Sequence, residues 1–359
     1  MTLRLARAPV ALAALLLAGA ALAAPPSTAV VVIGAVDHPK TFDAAALNAL
    51  PAVTQTDTFA SGGTPQTHTY TGPTLWNVLN ATGIQTTPGV KNDILDRYVL
   101  ATGTDGYRVV FSLGELDPSF GNRADLVATK ETLGGKTAPL AGDGLARVTA
   151  PGDVKGGRYV ANLSSLDVRA SGSTTTGTGG GTSDHFSVDG AVARGRNFDL
   201  AALKALPAVT ETVGGVTYTG VSLWDLLEAQ AGIVTDPAVK NDILDKVVVA
   251  TGSDGYKTLI SMGEIDPDFG NQPDIVAYAA DGQPLGANGF ARLVLPGDVK
   301  AGRWVSNLVD LQVFSASAVP EPANVTLLLA GLGAIAIARR RPRVTRAPAT
   351  DGDRQEFRQ

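Results

Sequence analysis

Hydrophobic and polar positions alternate over short distances in this chain, which predicts many short strands and a few short helices. The β-branched run Val30–Ile33 predicts a strand. Apolar residues at helical spacing over Phe42–Leu50 predict a helix that ends before Pro51. Strand-forming runs lie on both sides of Asp105-Gly106, and Asp-Gly between such runs indicates a hairpin. The pattern is typical of the α+β class.

Two further helix starts are marked by capping residues. Tyr70–Leu79 passes through a turn at Gly72-Pro73 into a short helix capped by Thr74. Ser112 and Glu115 have the spacing of a capping box. Additional strands are predicted near Leu145–Thr149 and Tyr159–Val168. The polar, glycine-containing segment Asp57–His68 is predicted to be a surface loop.

One stretch of the chain occurs twice. Val90–Asn122 and Val239–Asn271 are identical at about two thirds of their positions, which indicates a duplicated folding unit. We therefore predict two domains of ordinary size, covering residues 28–170 and 184–317. Residues 171–183 are rich in glycine, serine and threonine, and predict a flexible tether between two independent domains.

The amino-acid composition excludes several classes of site and partner. The 359 residues include no cysteine, which excludes disulfides, thiolate metal ligands and a cysteine nucleophile. The formal net charge is −5, and the two terminal segments carry an excess of arginine, so the central body is more acidic still. We expect no nucleic-acid partner, because phosphate binding needs a basic surface.

The N-terminal segment predicts export. Residues 1–23 combine basic Arg4 and Arg7 with an apolar run, and end in a small-x-small pattern formed by Ala21 and Ala23. These features indicate a signal peptide that is cleaved after Ala23 by signal peptidase. A membrane anchor is the alternative, although the apolar run is short for a transmembrane helix.

The C-terminal segment, residues 319–341, resembles the PEP-CTERM sorting signal. It contains Val319, Pro320, Glu321 and Pro322, then the apolar stretch Ala323–Ala338, then Arg339, Arg340 and Arg341. The resemblance implies a Gram-negative, exopolysaccharide-producing host, a transient membrane helix and cleavage by an exosortase. The arginines would stay cytoplasmic, leaving the body outside. The polar and basic tail at residues 342–359 departs from the pattern, and an ordinary membrane helix is the alternative.

Both repeats resemble the molybdopterin-binding domain of the sulfite oxidase family. The motif YTGxxLWxxL occurs at Tyr70–Leu79 and at Tyr218–Leu227. A DGY turn precedes an S-x-G-E turn in both copies, and Asp281–Phe314 is similar to the late block of the family. The resemblance implies an α+β fold of several small sheets with short helices, present here as two tandem copies.

Several residues depart from the family's pattern, and these departures argue against molybdenum chemistry in this chain. The family's cysteine ligand to molybdenum is missing, and its lysine is replaced by Ala161 and Ser306. Arg158 and Arg303 remain, and a guanidinium can hold an anion bidentately. Arg4 and Arg7 are not adjacent, which indicates export of an unfolded, empty chain. We expect no cofactor, with molybdopterin as the alternative. The sequence predicts an anion or ligand pocket formed by Arg158, Arg303, Tyr107 and Tyr256.

Other candidate residues have simpler explanations. Acidic residues cluster in two repeated turns and could bind calcium or exchange protons, but helix capping and a solvated turn account for them better. The turn aspartates are expected to bond their own backbone, and the tryptophans to lie in the core rather than stack on sugars. The histidines have no counterparts between repeats and predict no metal site. These residues are Glu115, Asp117, Glu264, Asp266 and Asp268; Asp153 and Asp298; Trp76, Trp224 and Trp304; and His38, His68 and His185.

The sequence as a whole predicts an exported, surface-sorted protein with a non-catalytic binding or matrix role. Tethering two copies would suit bivalent binding of an exopolysaccharide or a small anion. A molybdopterin-dependent oxidoreductase without the usual cysteine and a purely structural matrix component are the alternatives.

Overall fold

The computed structural model describes residues 24–316, and within them the chain is a mixed α and β protein with small sheets and short helices. The strands of the first copy are β1 (Val30–Gly34), β2 (Lys40–Phe42), β3 (Ala52–Ser61), β4 (Thr64–Pro73), β5 (Arg97–Gly103), β6 (Arg108–Ser112), β7 (Leu126–Ala128), β8 (Lys130–Leu133), β9 (Lys136–Pro139), β10 (Arg147–Thr149) and β11 (Leu163–Ala170). Those of the second copy are β12 (His185–Gly190), β13 (Arg196–Asp199), β14 (Val209–Val213), β15 (Val216–Ser222), β16 (Lys246–Gly252), β17 (Lys257–Ser261), β18 (Ile275–Ala280), β19 (Gln283–Pro284), β20 (Arg292–Val294) and β21 (Leu308–Ser315).

The helices are short, and several begin at a predicted cap. The α-helices are α1 (Ala44–Asn48), α2 (Leu75–Asn80), α3 (Leu113–Leu116), α4 (Leu200–Lys204), α5 (Leu223–Asp225) and α6 (Met262–Ile265). Tighter 3-10 turns cover Asp93–Asp96, Gly156–Arg158, Asp242–Asp245, Gly286–Asn288 and Ala301–Arg303, and a π-helix covers Leu226–Ala231.

Each copy builds a five-stranded sheet with the same topology. The order is β2-β1-β11-β5-β6 in the first copy and β13-β12-β21-β16-β17 in the second. The first strand of each copy pairs in parallel with the last, and the hairpin β5–β6 or β16–β17 completes the sheet. The first copy adds a four-stranded sheet, β3-β4-β8-β9, and its counterpart in the second copy is β14-β15-β18-β19 with β20 beside β18.

The two copies pack against each other, so the expectation of independent domains is wrong. Both belong to one compact unit of the chain. Tyr98 and Val110 from one sheet are buried with Val247 and Leu259 from the other. Phe269 of the second copy is also buried in the core of the first. Apolar residues on the outer face of each hairpin make this contact favourable, because they are buried only when the copies meet.

The segment between the copies is not a free tether. Thr175 donates to the Asp310 carboxylate at 2.9 Å, and Lys257 donates to the Ser173 carbonyl at 2.6 Å. The backbone N–H groups of Thr178 and Gly180 both donate to the Ser253 carbonyl. Small polar residues thus fasten the segment along the second copy through hydrogen bonds, which composition alone does not predict.

The predicted loop at Asp57–His68 is instead most of the β3–β4 hairpin, which pairs without interruption from Ala52–Pro73 to Ser61–Thr64. Its buried positions alternate with exposed threonines, and this period of two is that of a strand. Local helix and turn predictions are confirmed. Thr74 accepts from the Asn77 N–H, Ser112 and Glu115 form the capping box, and the Asp105-Gly106 turn joins β5 to β6.

Both terminal predictions lie outside the described residues. These are the signal peptide with Ala21 and Ala23, and the sorting segment with Val319–Pro322 and Arg339–Arg341. Between residues 24 and 316, no helix combines the length and hydrophobicity needed to cross a bilayer.

Candidate functional site

The contact between the copies is made twice, by equivalent residues in exchanged roles. The Asn92 amide donates to the Tyr256 hydroxyl at 2.9 Å, and the Asn241 amide donates to the Tyr107 hydroxyl at 2.8 Å. Each hydroxyl donates in turn to a carbonyl of its own copy, that of Gly302 or Gly157. Such reciprocity is the property of a twofold, isologous interface, here between two halves of one chain.

Two equivalent clefts flank this contact, each with a volume of about 390 Å³. In each, the Val-Lys-Asn-Asp segment of one copy forms one wall and the Asp-Gly-Tyr turn of the other forms the opposite wall. The first cleft is lined by Val90, Lys91, Asn92, Asp93, Asp96, Asp254, Gly255, Tyr256 and Lys257. The second is lined by Asp105, Gly106, Tyr107, Arg108, Ala238, Val239, Lys240, Asn241, Asp242 and Asp245.

The lining mixes charges of both signs with one aromatic ring. In the first cleft the Lys91 ammonium lies 5.8 Å from the centre of the Tyr256 ring, and in the second Lys240 lies 5.6 Å from that of Tyr107. One oxygen of Asp96 is buried and makes no hydrogen bond. Burial raises the pKa of this carboxyl group, although a hydrogen bond from Ser171 lowers it. Donors, acceptors and a ring face suit a small polar ligand with many hydroxyl groups.

Beneath the clefts, Arg158 is enclosed by carboxylates of its own copy and has no exposed surface. Its Nη2 lies 3.0 Å from Glu115 Oε2 and 3.5 Å from an Asp125 oxygen. Its Nε lies 3.6 Å from Asp153, and Arg123 reaches the same aspartate from the partly exposed side. Asp153 therefore balances charge in the interior, which corrects the expectation that it bonds its own turn.

Arg303 has the equivalent place in the second copy and makes shorter contacts. Its Nη1 lies 2.7 Å from Glu264 Oε1, and its Nη2 lies 2.5 Å from Asp298. The two networks meet across the interface, where Ser261 donates to Glu115 at 3.2 Å and Ser112 donates to Glu264 at 3.4 Å. Asp298, like Asp153, is a counter-ion rather than a turn cap.

Burial dominates the protonation of this network. It raises the pKa of Glu115 to about 8 and that of Asp153 to about 7, although Arg158 lowers both. The pKa of Asp274 is also raised well above its usual range, first by burial and then by Glu264. Six carboxylates face three arginines in the part of the network that the structure describes: Glu115, Asp125, Asp153, Glu264, Asp274 and Asp298 against Arg123, Arg158 and Arg303. Protonation relieves this excess of negative charge.

The predicted pocket of four residues is divided between two places. Tyr107 and Tyr256 lie in the clefts, where their rings form part of the lining. Arg158 and Arg303 are buried and held by their own carboxylates, so an anion would have to displace those groups to reach them. The cleft asparagines and lysines were not predicted as site residues, although they belong to the stretch that the two copies share most closely.

The remaining turn aspartates bond their own turns, and the tryptophans pack against the cores. Asp117 and Asp266 accept from backbone N–H groups two residues on, but Asp266 is buried, which corrects the expectation that its turn is solvated. Trp76 and Trp224 pack against the cores, and the Trp304 ring donates to the Leu295 carbonyl. Among residues 24–316, no group of three or more histidines and carboxylates is arranged to hold a metal ion.

Molybdopterin does not fit the residues that the resemblance assigns to it. No cysteine is available as a ligand. The arginines that could bind the anionic group are enclosed, and Arg158 is surrounded by Glu115, Asp125 and Asp153, which would repel it.

Comparisons with known proteins leave the family open. No protein-family model matches the chain, and no curated protein matches it. Among solved structures, the sulfane dehydrogenase SoxCD from Paracoccus pantotrophus is similar at a TM-score of 0.32 and 13% sequence identity, over 78% of this chain and 77% of that one. This likeness is too weak to carry an argument about activity.

Proposed function

We propose that this chain is an exported, non-catalytic binding protein whose two copies create two equivalent ligand sites between them. The observation that carries the proposal is the pair of clefts of equal volume, each built from both copies. A pocket of a few hundred Å³ is large enough for a small ligand or for a short segment of a polymer.

The chemistry of the lining favours a neutral or zwitterionic ligand rich in hydroxyl groups. Lys91, Asp254 and Asn92 offer an ammonium, a carboxylate and an amide around the Tyr256 ring. Lys240, Asp105 and Asn241 repeat this set around Tyr107. An exopolysaccharide fits this description better than the small anion that the sequence also suggested, because the two buried arginines are already neutralised by carboxylates.

Export and surface sorting complete the proposal and rest on the sequence alone. The signal peptide would direct the chain across the inner membrane, and the C-terminal segment would hold it there until an exosortase-type enzyme releases it to the cell surface. Two sites on one released chain would let it bridge two polymer segments and raise its apparent affinity by effective concentration.

Calorimetric titration of the purified protein with exopolysaccharide fragments from the native host tests the proposal. We expect two equivalent sites per chain. Lys91 and Lys240 are exposed on the cleft walls, so Lys91→Ala or Lys240→Ala should each leave one site and the double variant none. Lys136→Ala, at an exposed position away from both clefts, is the matched control and should leave both sites.

The alternatives predict different results. Molybdenum near one atom per copy, with releasable pterin, in protein from the native cell envelope would favour the oxidoreductase and contradict the proposal. Failure of the fragments to bind at any concentration, together with loss of matrix integrity when the gene is deleted, would favour the purely structural component.

A further inference from the structure

Eight threonines share one face of the first copy's four-stranded sheet. Its members form hydrogen-bonded pairs between neighbouring strands, and most are exposed. We call this surface the threonine face; the pairs are Thr54–Thr71, Thr56–Thr69, Thr58–Thr67 and Thr132–Thr137, at 2.8 to 3.0 Å between hydroxyl oxygens. The threonine face shares no residue with the clefts.

The threonines form a grid because the strand register is regular. Thr56, Thr69, Thr132 and Thr137 stand opposite one another across β3, β4, β8 and β9. Neighbouring strands lie about 4.8 Å apart, and alternate residues along a strand lie about 6.8 Å apart. The ten residue pairs between β3 and β4 contain no bulge, so this spacing is kept along the whole hairpin.

Strand propensity alone does not account for this composition. Valine, isoleucine and aromatic residues favour strands as much as threonine does. On the opposite face of the hairpin, buried Asp57, Phe59 and Tyr70 show the variety expected of a packed surface. Exposed sheet faces usually carry charges of both signs, whereas Lys130 is the one charged residue that the register places on this face, beside alanines and prolines at its margins.

The chemistry of the grid excludes most classes of partner. With one cation it cannot hold an anionic polymer or membrane. It offers no aromatic or arginine anchor, and threonine is under-represented among residues that dominate protein interfaces. What remains is a regular, neutral lattice of hydrogen-bonding groups. Each hydroxyl has one donor and two acceptor positions, so a bonded pair still offers one donor and three acceptors to such a lattice.

We propose that the threonine face binds ice. A crystal of water presents neutral donors and acceptors at fixed spacings, and a grid of hydroxyls backed by methyl groups can order water in the same way. The second copy provides an internal comparison. It has one hydrogen-bonded pair, Thr212–Thr217 at 3.0 Å, and its sheet carries a register shift next to Thr219.

The test is inhibition of ice recrystallisation by the purified full-length protein, with Thr56→Lys as the disrupting variant. Thr56 is exposed on the edge strand β3, where lysine is well tolerated. We expect wild type to keep crystals small, and Thr56→Lys to require about tenfold more protein, equivalent to about 1.4 kcal/mol of binding. Thr212→Lys, the matched change in the second copy, should behave as wild type.

Several outcomes would overturn the proposal. They are a wild type without effect on crystal growth, a Thr56→Lys variant as active as wild type, or a Thr212→Lys variant as damaging as Thr56→Lys. Adsorption to cellulose that Thr56→Lys abolishes, without any effect on ice, would assign the face to a polysaccharide instead. If thermal unfolding shows that Thr56→Lys is not folded, Thr56→Ser, which removes only the methyl group, decides the question by the same assay.

Discussion

Glu115→Gln should change how the stability of this protein depends on pH. Glu115 has no exposed surface and lies between Arg158 and the Ser261 hydroxyl of the other copy. Burial raises the pKa of its carboxyl group from 4.5 to about 8. In this pH range the folded chain therefore binds a proton that the unfolded chain has released.

The sign and size of the effect follow from proton linkage. When the folded state binds more protons than the unfolded state, stability falls as pH rises. For this group the fall begins above the unfolded pKa of 4.5 and ends above the folded pKa of about 8. One proton corresponds to about 1.4 kcal/mol per pH unit, so Glu115 alone should remove about 3 kcal/mol over two pH units inside that window.

Urea unfolding at a series of pH values from mildly acidic to neutral measures the slope directly. The glutamine variant cannot titrate, so its stability should fall less steeply than wild type by about 1.4 kcal/mol per pH unit. Glu228→Gln, at an exposed position, is the control and should keep the wild-type slope. Equal slopes for wild type and Glu115→Gln, or a wild type that gains stability across the window, would refute the reasoning.

Two other substitutions test the interior. Arg303→Met leaves the buried Glu264 and Asp298 without their cation, so the free energy of unfolding in denaturant should fall by about 3–5 kcal/mol. Adding Glu264→Gln and Asp298→Asn to this variant should restore part of that stability. No recovery in the triple variant would contradict this account. Gly302→Ala would place a methyl group 2.1 Å from the Phe120 ring of the other copy. We expect denaturant unfolding to show a loss of about 1–3 kcal/mol in the free energy of unfolding. A variant as stable as wild type would show that the two copies move apart at this point without cost.

The features predicted correctly from the sequence are those that nearby residues determine. Thr74 caps α2 through an N–H three residues away, and Ser112 and Glu115 bond each other within one turn. The Asp105-Gly106 hairpin depends on a glycine with a φ of +81° at Gly106. The mixed fold of small sheets and short helices follows from the same local signals.

The features missed depend on contacts between distant residues. Thr175 belongs to a glycine-rich segment that looks flexible, yet its hydroxyl meets Asp310 across 135 positions. The sequence predicts that Arg158 binds an anion. Glu115 and Asp125, which enclose its side chain in the fold, are distant from it in the chain. Composition reports what a side chain could bind, whereas burial decides what can reach it.

The interface explains why Val90–Asn122 and Val239–Asn271 are the most alike parts of the two copies. In an isologous contact each patch must fit its own equivalent, so a substitution in either copy has to stay compatible with the matching patch of the other copy. Gly114 shows this constraint, because an added Cβ would lie 2.5 Å from the Arg303 side chain, and Gly263 has the same relation to Arg158 at 2.9 Å. Likeness between repeats therefore marks the surface on which they meet, and the clefts acquire their symmetry because they lie at the edges of that surface.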